Sequence, residues 1–244
     1  MNIAIVGQDS LAATARKCCE AHFRVLPHTD PDVEILWVCY DTPLDDRSNP
    51  DYAWVVDKIH RDLFEVHGRP IVLISSQVPV GTCHRLEEHF PGFEFASSPE
   101  NIRVAHAMHD FTNQARVIVG LRRLERQFLF EELFFNFTKR IIFTNPETAE
   151  MVKHALNCWL GMNIAYINEI AKVCEAVGAD VKVVSEALLS ERRISPKAPL
   201  KPGAPFGGGH LMRDILTVEE IARGRNISIP LISHIRESNG DTKP

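Results

Sequence analysis

The feature that most constrains this chain is one long stretch of helical periodicity that starts after residue 145. Asn145, Pro146 and Glu147 are residue types that begin helices: an N-cap, a first-turn proline and a carboxylate that complements the helix dipole. Apolar residues then recur at helical spacing as far as Val177, and Gly178 stands where a C-terminal glycine belongs. The pattern predicts one helix of about 32 residues, or about 48 Å, which is typical of a connection between two lobes or of a dimer seam.

A different pattern precedes this helix, because short apolar segments alternate there with helical ones. The segments that have the composition of buried strands are Asn2–Val6, Val25–Leu26, Glu34–Tyr40, Pro70–Ser75, Phe93–Ala96, Val117–Val119 and Arg140–Phe143. This alternation predicts an α/β fold with a Rossmann-like, mostly parallel sheet and right-handed crossovers. We therefore expect a sheet domain over residues 1–144, an all-helical domain over 145–237 that includes the long helix, and a polar tail over 238–244.

The composition argues against several classes of protein. A net charge of −5 without a Lys/Arg run argues against a nucleic-acid partner. No apolar run reaches the ~20 residues that span a bilayer, and the opening MNIAIVGQDS lacks the basic start of a signal peptide. The six cysteines form no C-x-x-C pair and the histidines do not converge, so we expect reduced thiols, no metal site, no membrane contact and a cytoplasmic location.

Four stretches in register resemble the UDP-glucose/GDP-mannose dehydrogenase family. They are SQVPVGT at 76–82, SPENIRVAHAMHDFTNQARVIV at 98–119, the long helix and its following loop at 147–180, and PGAPFGGGHLMRD at 202–214. The resemblance implies a dinucleotide-binding domain joined by the long helix to a central dimerisation domain. It also implies NAD or NADP as cofactor, a nucleotide sugar as substrate and a homodimer. In this family a sugar hydroxyl is oxidised twice, through intermediates held on a cysteine.

The resemblance also implies site residues. It places the cofactor at Gly7, Thr42, Pro43, Val78 and Thr82. It places the catalytic groups at Glu100, Lys153, Asn157, His210 and Asp214. It places a substrate loop at Phe206, Gly207, Gly208 and Arg213.

The types and spacing of these residues suit the oxidation of an alcohol. Lys153 and Asn157 are four residues apart, so they lie on one face of the predicted helix. Removal of a hydride requires that the hydroxyl proton leave and that the developing oxyanion be stabilised, which an ammonium and an amide donor can do. Without the resemblance, the sequence favours Lys153 as a solvated helix residue, and Glu100 and Asp214 are equally helix-capping carboxylates.

Departures from the family's pattern bear on the cofactor. The first turn reads GQDSLA where the family has G-x-G-x-x-G, so Gly7 remains and Asp9 puts a carboxylate near the expected pyrophosphate position. Little room is left between the first helix and the strand at 34–40 for a ribose-binding acid, and His28 and Asp30 are the candidates. The chain also ends near the point where the family's C-terminal domain begins.

The glycine-rich loop departs from the pattern at the nucleophile. Gly207 and Gly208 keep the shape of the loop, whereas Gly209 replaces a serine, His210 replaces the cysteine and Arg213 replaces a lysine. A thiolate can hold an aldehyde covalently for a second oxidation, and an imidazole is a poor substitute for it. His210 is either a general base near neutral pH or a residue that packs beside the loop.

Three interpretations follow from these observations. The first is an NAD(P)-dependent, two-electron oxidoreductase that acts on a CH–OH group of a nucleotide-sugar-like or other phosphorylated small molecule. The second is a non-catalytic relative that binds or scaffolds, which the altered first turn and the lost cysteine favour. The third is a full four-electron dehydrogenase. The matches at Lys153, Asn157, Glu100 and Asp214 lead us to prefer the first.

Overall fold

The computed structural model describes residues 1–45, 50–100, 102, 106–207 and 209–240. The chain divides into two compact units, Met1–Lys153 and His154–Pro244. The domain bounds given above stay a prediction beside this division. Helix α6, defined below, begins in the first unit and continues into the second.

The first unit alternates strands and helices. Its elements in the described residues are β1 Asn2–Val6, α1 Ser10–Cys19, β2 Arg24–Val25, β3 Ile35–Val38, α2 Tyr52–Glu65, β4 Ile71–Ile74, α3 Thr82–His89, β5 Glu94–Ser97, α4 Ala107–Thr112, β6 Val117–Leu121, α5 Gln127–Phe134 and β7 Ile141–Thr144. The strands form one seven-stranded sheet in the order β2-β1-β3-β4-β5-β6-β7. All neighbouring pairs are parallel except β5 and β6. The predicted Rossmann-like, mostly parallel sheet is confirmed.

Both faces of the sheet are covered, which explains why the strands are continuously apolar rather than alternating. In β3, Ile35 and Trp37 belong to one apolar cluster, and Leu36 and Val38 belong to the other. Helices α1, α4 and α5 contribute side chains to the first cluster, and α2 and α3 contribute to the second. The first unit is therefore a central sheet with helices on each face, as the doubly wound architecture requires.

The strand order places a switch point between β1 and β3. The chain leaves β1 on one side to form β2, and β3 then pairs with the other side of β1, in the register Ile3 to Ile35. In open parallel sheets, ligands bind outside the carboxyl ends of the strands at such a point. The residues that follow β1, β3, β4 and β5 are therefore the place in the first unit to look for a site.

The second unit is helical in its described residues. Helix α6 spans Pro146–Val177, as the sequence predicts, and is followed by α7 Val181–Ser190, α8 Gly209–Gly224, α9 Pro230–Ser233 and α10 Ile235–Gly240. Gly178 has a φ of +72°, which suits the predicted helix-ending glycine. The carboxylate of Asp180 accepts the Lys182 amide at 2.8 Å and so caps α7. Helix α10 continues into the segment that we predicted as a polar tail.

Two apolar clusters hold the second unit together. Cys158 and Ala165 of α6 pack with Ile215 of α8 and Ile235 of α10. Ile167 of α6 packs with Ala198 and Leu200 of the loop after α7. Within the described residues, no helix is both long enough and apolar enough to cross a membrane.

Candidate functional site

The turn after β1 can accept no residue but glycine at its first position. Gly7 has a φ of +129°, and a Cβ there would lie 2.6 Å from the Cys39 carbonyl oxygen and 2.9 Å from the Ala12 methyl group. Asp9 is the N-cap residue of α1, but its side chain makes no capping hydrogen bond. Its carboxylate instead accepts the Asp41 amide of the loop after β3. The carboxylate is thus bound to the loop after β3 rather than to the first turn of α1.

The remaining residues predicted to contact the cofactor lie on the loops after β3 and β4. The Thr42 hydroxyl donates to the Gln77 carbonyl at 2.5 Å, which ties one loop to the other. The Pro43 carbonyl accepts the Asp51 amide at 2.8 Å. Val78 is buried, and the Thr82 hydroxyl donates to the Pro79 carbonyl at 2.6 Å at the start of α3. All five residues are therefore at the carboxyl edge of the sheet, and their contact with a cofactor stays a prediction.

A buried glutamate that the sequence analysis did not identify supports the same edge. Glu150 of α6 is 2% exposed, and its carboxylate accepts the Gly81 amide at 2.5 Å and the Cys83 amide at 3.0 Å. It thereby caps α3, whose own N-cap residue has no side chain. Burial raises the pKa of the Glu150 carboxyl, and the two amide hydrogen bonds oppose that rise. No local signal predicts this role, because the partners are more than sixty positions away in the chain.

Lys153 and Glu100 meet in the first unit. The Lys153 ammonium donates to the Glu100 main-chain carbonyl at 2.8 Å, and the Glu100 carboxylate oxygen lies 4.0 Å from it. The lysine side chain is only 14% exposed, so it is not the solvated residue that the alternative reading supposed. The other Glu100 carboxylate oxygen accepts the Ile102 amide at 2.5 Å. The loop after β5 thus holds this ammonium in place.

Two consecutive buried hydrogen bonds hold the start of the loop after β5. The Trp37 indole N–H donates to the Ser75 hydroxyl at 2.8 Å, and that hydroxyl donates to the Ser98 carbonyl at 2.6 Å. All three residues are buried. The indole and the hydroxyl together satisfy buried polar groups and define where the loop that carries Glu100 begins.

The candidates for a ribose-binding acid are already engaged. The His28 imidazole Nε2 lies 3.1 Å from the Glu65 carboxylate. The Asp30 carboxylate accepts the Asp32 amide at 3.0 Å in a local turn. In the described residues β2 is an edge strand, and the chain reaches β3 through one loop. The structure therefore assigns neither residue to a ribose.

In the second unit, a fully buried carboxylate organises part of the predicted site. Asp214 of α8 is 0% exposed, and His154 and Asn157 of α6 are 1% and 6% exposed. The His154 Nδ1 lies 2.5 Å from one Asp214 oxygen, and the Asn157 amide donates to the other. An ionised carboxylate is only an acceptor, so His154 carries its proton on Nδ1. Sequence reasoning missed His154, since its role depends on a partner sixty residues later.

The glycine loop and the start of α8 are less enclosed. Gly208 lies outside the described residues, and a Cβ on Gly207 would meet nothing within 4 Å. His210 is exposed, and its Nδ1 lies 3.1 Å from the guanidinium of buried Arg213. A guanidinium has donors and no acceptor, so the His210 Nδ1 is the acceptor and its proton is on Nε2. The His210 Nδ1, which would take a proton if His210 were a general base, therefore already accepts a hydrogen bond from Arg213.

All six cysteines are buried. Burial raises the pKa of the Cys158 thiol to about 12, although Cys158 is next to Asn157 in sequence. A thiol that ionises so reluctantly is not a nucleophile at neutral pH.

Comparison with protein families matches the two parts of the chain separately. Residues 4–138 match the NAD binding domain of the UDP-glucose/GDP-mannose dehydrogenase family, and residues 147–241 match its central domain. The first match confirms the predicted cofactor class and identifies it as NAD.

Individual relatives agree with the family match. The chain is 32% identical over 213 residues to UDP-glucose 6-dehydrogenase TuaD of Bacillus subtilis, which covers 84% of this chain and 46% of that protein. It is 28% identical over 215 residues to a UDP-glucose 6-dehydrogenase of Rickettsia bellii, covering 85% and 49%. The chain thus spans about half the length of the curated relatives that it matches.

Solved structures share the fold. A UDP-glucose dehydrogenase from Pyrobaculum islandicum superimposes with a TM-score of 0.84 at 17% identity, covering 98% of this chain and 68% of that one. A UDP-D-ManNAc dehydrogenase from Pyrococcus horikoshii gives 0.78 at 23% identity, covering 99% and 69%. At these identities the likeness is one of fold.

Proposed function

Because the chain belongs to the UDP-glucose/GDP-mannose dehydrogenase family, we propose that it is an NAD-dependent oxidoreductase acting on a CH–OH group of a nucleotide sugar. The observation that carries this proposal is the Lys153 ammonium, held 2.8 Å from the Glu100 carbonyl beside the carboxyl edge of the sheet. An ammonium has three donors. With one donor fixed by the loop, the others are oriented rather than free to rotate.

The first turn fits the NAD that the family implies. Gly7 leaves no side chain between the turn and a ligand, and the Asp9 carboxylate is bound to the Asp41 amide instead of capping α1. The amide groups at the start of α1 would hold the pyrophosphate. When bound, NAD supplies the acceptor for a hydride.

The chain's own residues act on the substrate oxygen. In the proposal, Lys153 stabilises the negative charge that develops on that oxygen as its proton leaves. Asn157 donates one of its two amide N–H groups to Asp214, so its other N–H and its carbonyl oxygen are the groups that would contact a substrate hydroxyl. The roles of Asp214 and His210 stay predictions. The contacts favour Asp214 as a positioning residue that orients Asn157, because both of its oxygens are engaged and none of its surface is exposed.

We further propose that the reaction is a two-electron oxidation, rather than the four-electron oxidation typical of the family. His210 stands where the family resemblance places a cysteine, and the cysteines of this chain are buried. Without a thiolate, an aldehyde has no covalent anchor for a second oxidation. The expected products are therefore one carbonyl compound and one NADH per substrate.

The proposal is tested by calorimetry and turnover with NAD and UDP-glucose on the wild-type protein. Lys153→Ala should still bind NAD and should lose turnover by about a hundredfold or more. Lys172→Ala is the matched control, because Lys172 is an exposed lysine of the same helix. Absence of heat with millimolar NAD would overturn the proposal, and two NADH per acid formed would overturn its two-electron part.

One observation favours a second function, a non-catalytic binding module. Asp9 keeps a carboxylate at the turn where a pyrophosphate would lie, and that charge opposes an anion. This alternative predicts that NAD does not bind to the wild type and that Asp9→Gly or Asp9→Asn creates or strengthens binding. Tight binding by the wild type, with no gain in Asp9→Asn, would exclude it.

We also propose a homodimer formed through α6. Apolar side chains at Trp159, Tyr166, Val173 and Val177 are 42%, 46%, 59% and 72% exposed. Their spacing of seven, seven and four residues puts them on one stripe of the helix. A second copy would bury this stripe. Sedimentation at micromolar concentration should give twice the 27.5 kDa chain mass, and a monomer would contradict the proposal.

A further inference from the structure

Asn239, near the end of α10, forms two hydrogen bonds with the main chain of Phe206, the residue before the glycine loop. The Asn239 side-chain oxygen accepts the Phe206 amide at 2.9 Å, and its side-chain nitrogen donates to the Phe206 carbonyl at 3.1 Å. Asn239 is only 7% exposed. One primary amide thus satisfies both polar groups of a single residue, as a neighbouring strand would.

Apolar packing of the Phe206 ring adds to these two hydrogen bonds. The ring packs in the cluster formed by Cys158, Ile215 and Ile235. A Cβ on Gly161 of α6 would lie 3.5 Å from it, which is van der Waals contact, so the ring packs directly against this position of the helix. Both the main chain and the side chain of Phe206 are therefore fixed.

The start of the same segment is also held by a buried amide. Asn168 of α6 is 3% exposed, and its side-chain oxygen accepts the Gly203 amide at 2.9 Å. Gly207, immediately after Phe206, has nothing within 4 Å of its ideal Cβ position. The described hydrogen bonds that hold this segment are thus those at Gly203 and Phe206.

We propose that Asn239 is a positioning residue for the glycine loop, and that it sets the direction in which the chain leaves Phe206 toward α8. The consequence for the nucleotide sugar rests on the function proposed above, together with the substrate loop that the family resemblance places at Phe206 and Gly207. Helix α10 then has a role in substrate affinity although no residue of it need touch the sugar.

The first experiment does not depend on any ligand. Hydrogen–deuterium exchange of the peptide that contains Phe206 is compared between the wild type, Asn239→Ala and the control Asn163→Ala. Asn163 is a suitable control because its amide bonds only its own helix, at the Trp159 carbonyl 2.6 Å away. Loss of a protecting hydrogen bond should speed exchange at Phe206 by about tenfold or more. Equal exchange in Asn239→Ala and the wild type would overturn the inference.

The second experiment measures affinity for UDP-glucose and for NAD in the same proteins. Asn239→Ala should bind UDP-glucose about tenfold more weakly, equivalent to about 1.4 kcal/mol. Its affinity for NAD should not change, because residues 4–138 match the NAD binding domain. A purely structural defect would lower both affinities. Equal UDP-glucose affinity in Asn239→Ala and the wild type would overturn the inference.

A replacement variant and a fallback measurement cover the two ways in which the affinity experiment could fail. If Asn239→Ala does not fold by circular dichroism, Asn239→Asp replaces it in the affinity measurement. This variant keeps size and acceptor, but it cannot donate to the Phe206 carbonyl and repels it, so weaker UDP-glucose binding is again expected. If the wild type binds no UDP-glucose, the proposed function fails, and the exchange measurement alone supports or overturns the positioning role.

Discussion

Removal of the Asp214 carboxylate should be among the most damaging single changes in the second unit. Asp214 has no exposed surface, and it accepts from His154 and from Asn157, both also buried. Loss of the acceptor of a buried donor costs about 1–3 kcal/mol, and Asp214→Ala removes the acceptor of two such donors. We therefore expect the free energy of unfolding to fall by about 2–6 kcal/mol.

Two variants calibrate this expectation. Asp214→Asn keeps an acceptor for one donor, but its own amide N–H faces the other, so the loss should be about half, or about 1–3 kcal/mol. Asp180→Ala removes an exposed helix cap in the same unit and should cost about 1 kcal/mol.

The assay is urea unfolding followed by far-ultraviolet circular dichroism, which suits a helical unit. The order of losses should be Asp180→Ala below Asp214→Asn below Asp214→Ala. If Asp214→Ala costs no more than Asp180→Ala, the carboxylate does not organise His154 and Asn157, and the positioning role that we propose for it fails.

Three further outcomes follow from the first unit and the thiols. Gly120→Ala should cost about 1–3 kcal/mol in thermal unfolding, because its Cβ would lie 2.6 Å from a main-chain oxygen where α6 begins, whereas Gly207→Ala should be neutral; equal melting temperatures would contradict this. Hydrogen bonds from Arg122 lower the pKa of the Glu147 carboxyl, so their stabilisation is complete above its ordinary value of 4.5 and is lost as the pH falls below it. Arg122→Gln should flatten that acid limb by less than about 1 kcal/mol, since the pair is partly exposed, and an unchanged pH slope would refute the assignment. The native protein should resist thiol reagents at neutral pH, because burial raises the pKa of Cys19 to about 12 and the other cysteines are buried too; rapid labelling without denaturant would contradict this.

Much of the fold could be predicted from local pattern. The strands of the sheet and helix α6 follow from apolar periodicity and from end signals such as Asn145 and Gly178. The bounds of helices α4, α5, α9 and α10 do not follow from the pattern. The first, third and fourth are short, with six, four and six residues, and α5, with eight residues, is little longer.

The candidate site, too, could be predicted only in part. Residue types and spacing identified Lys153, Asn157, Glu100 and Asp214 as groups suited to one reaction. They could not identify the hydrogen-bond partners, because a side chain's partner is set by residues far along the chain.

The sequence by itself determined the class of the molecule: a parallel sheet, one long helix, a helical region after it, and a family with its NAD binding domain. Local propensity, helical and strand periodicity and motif spacing carry that information within short stretches. Only the tertiary structure decided that Glu150 caps α3, that the Asn157 amide donates to Asp214, and that Asn239 binds the main chain of Phe206. Each of these depends on which buried donor meets which acceptor, and folding alone brings those atoms together, since an unpaired polar group in the interior is costly.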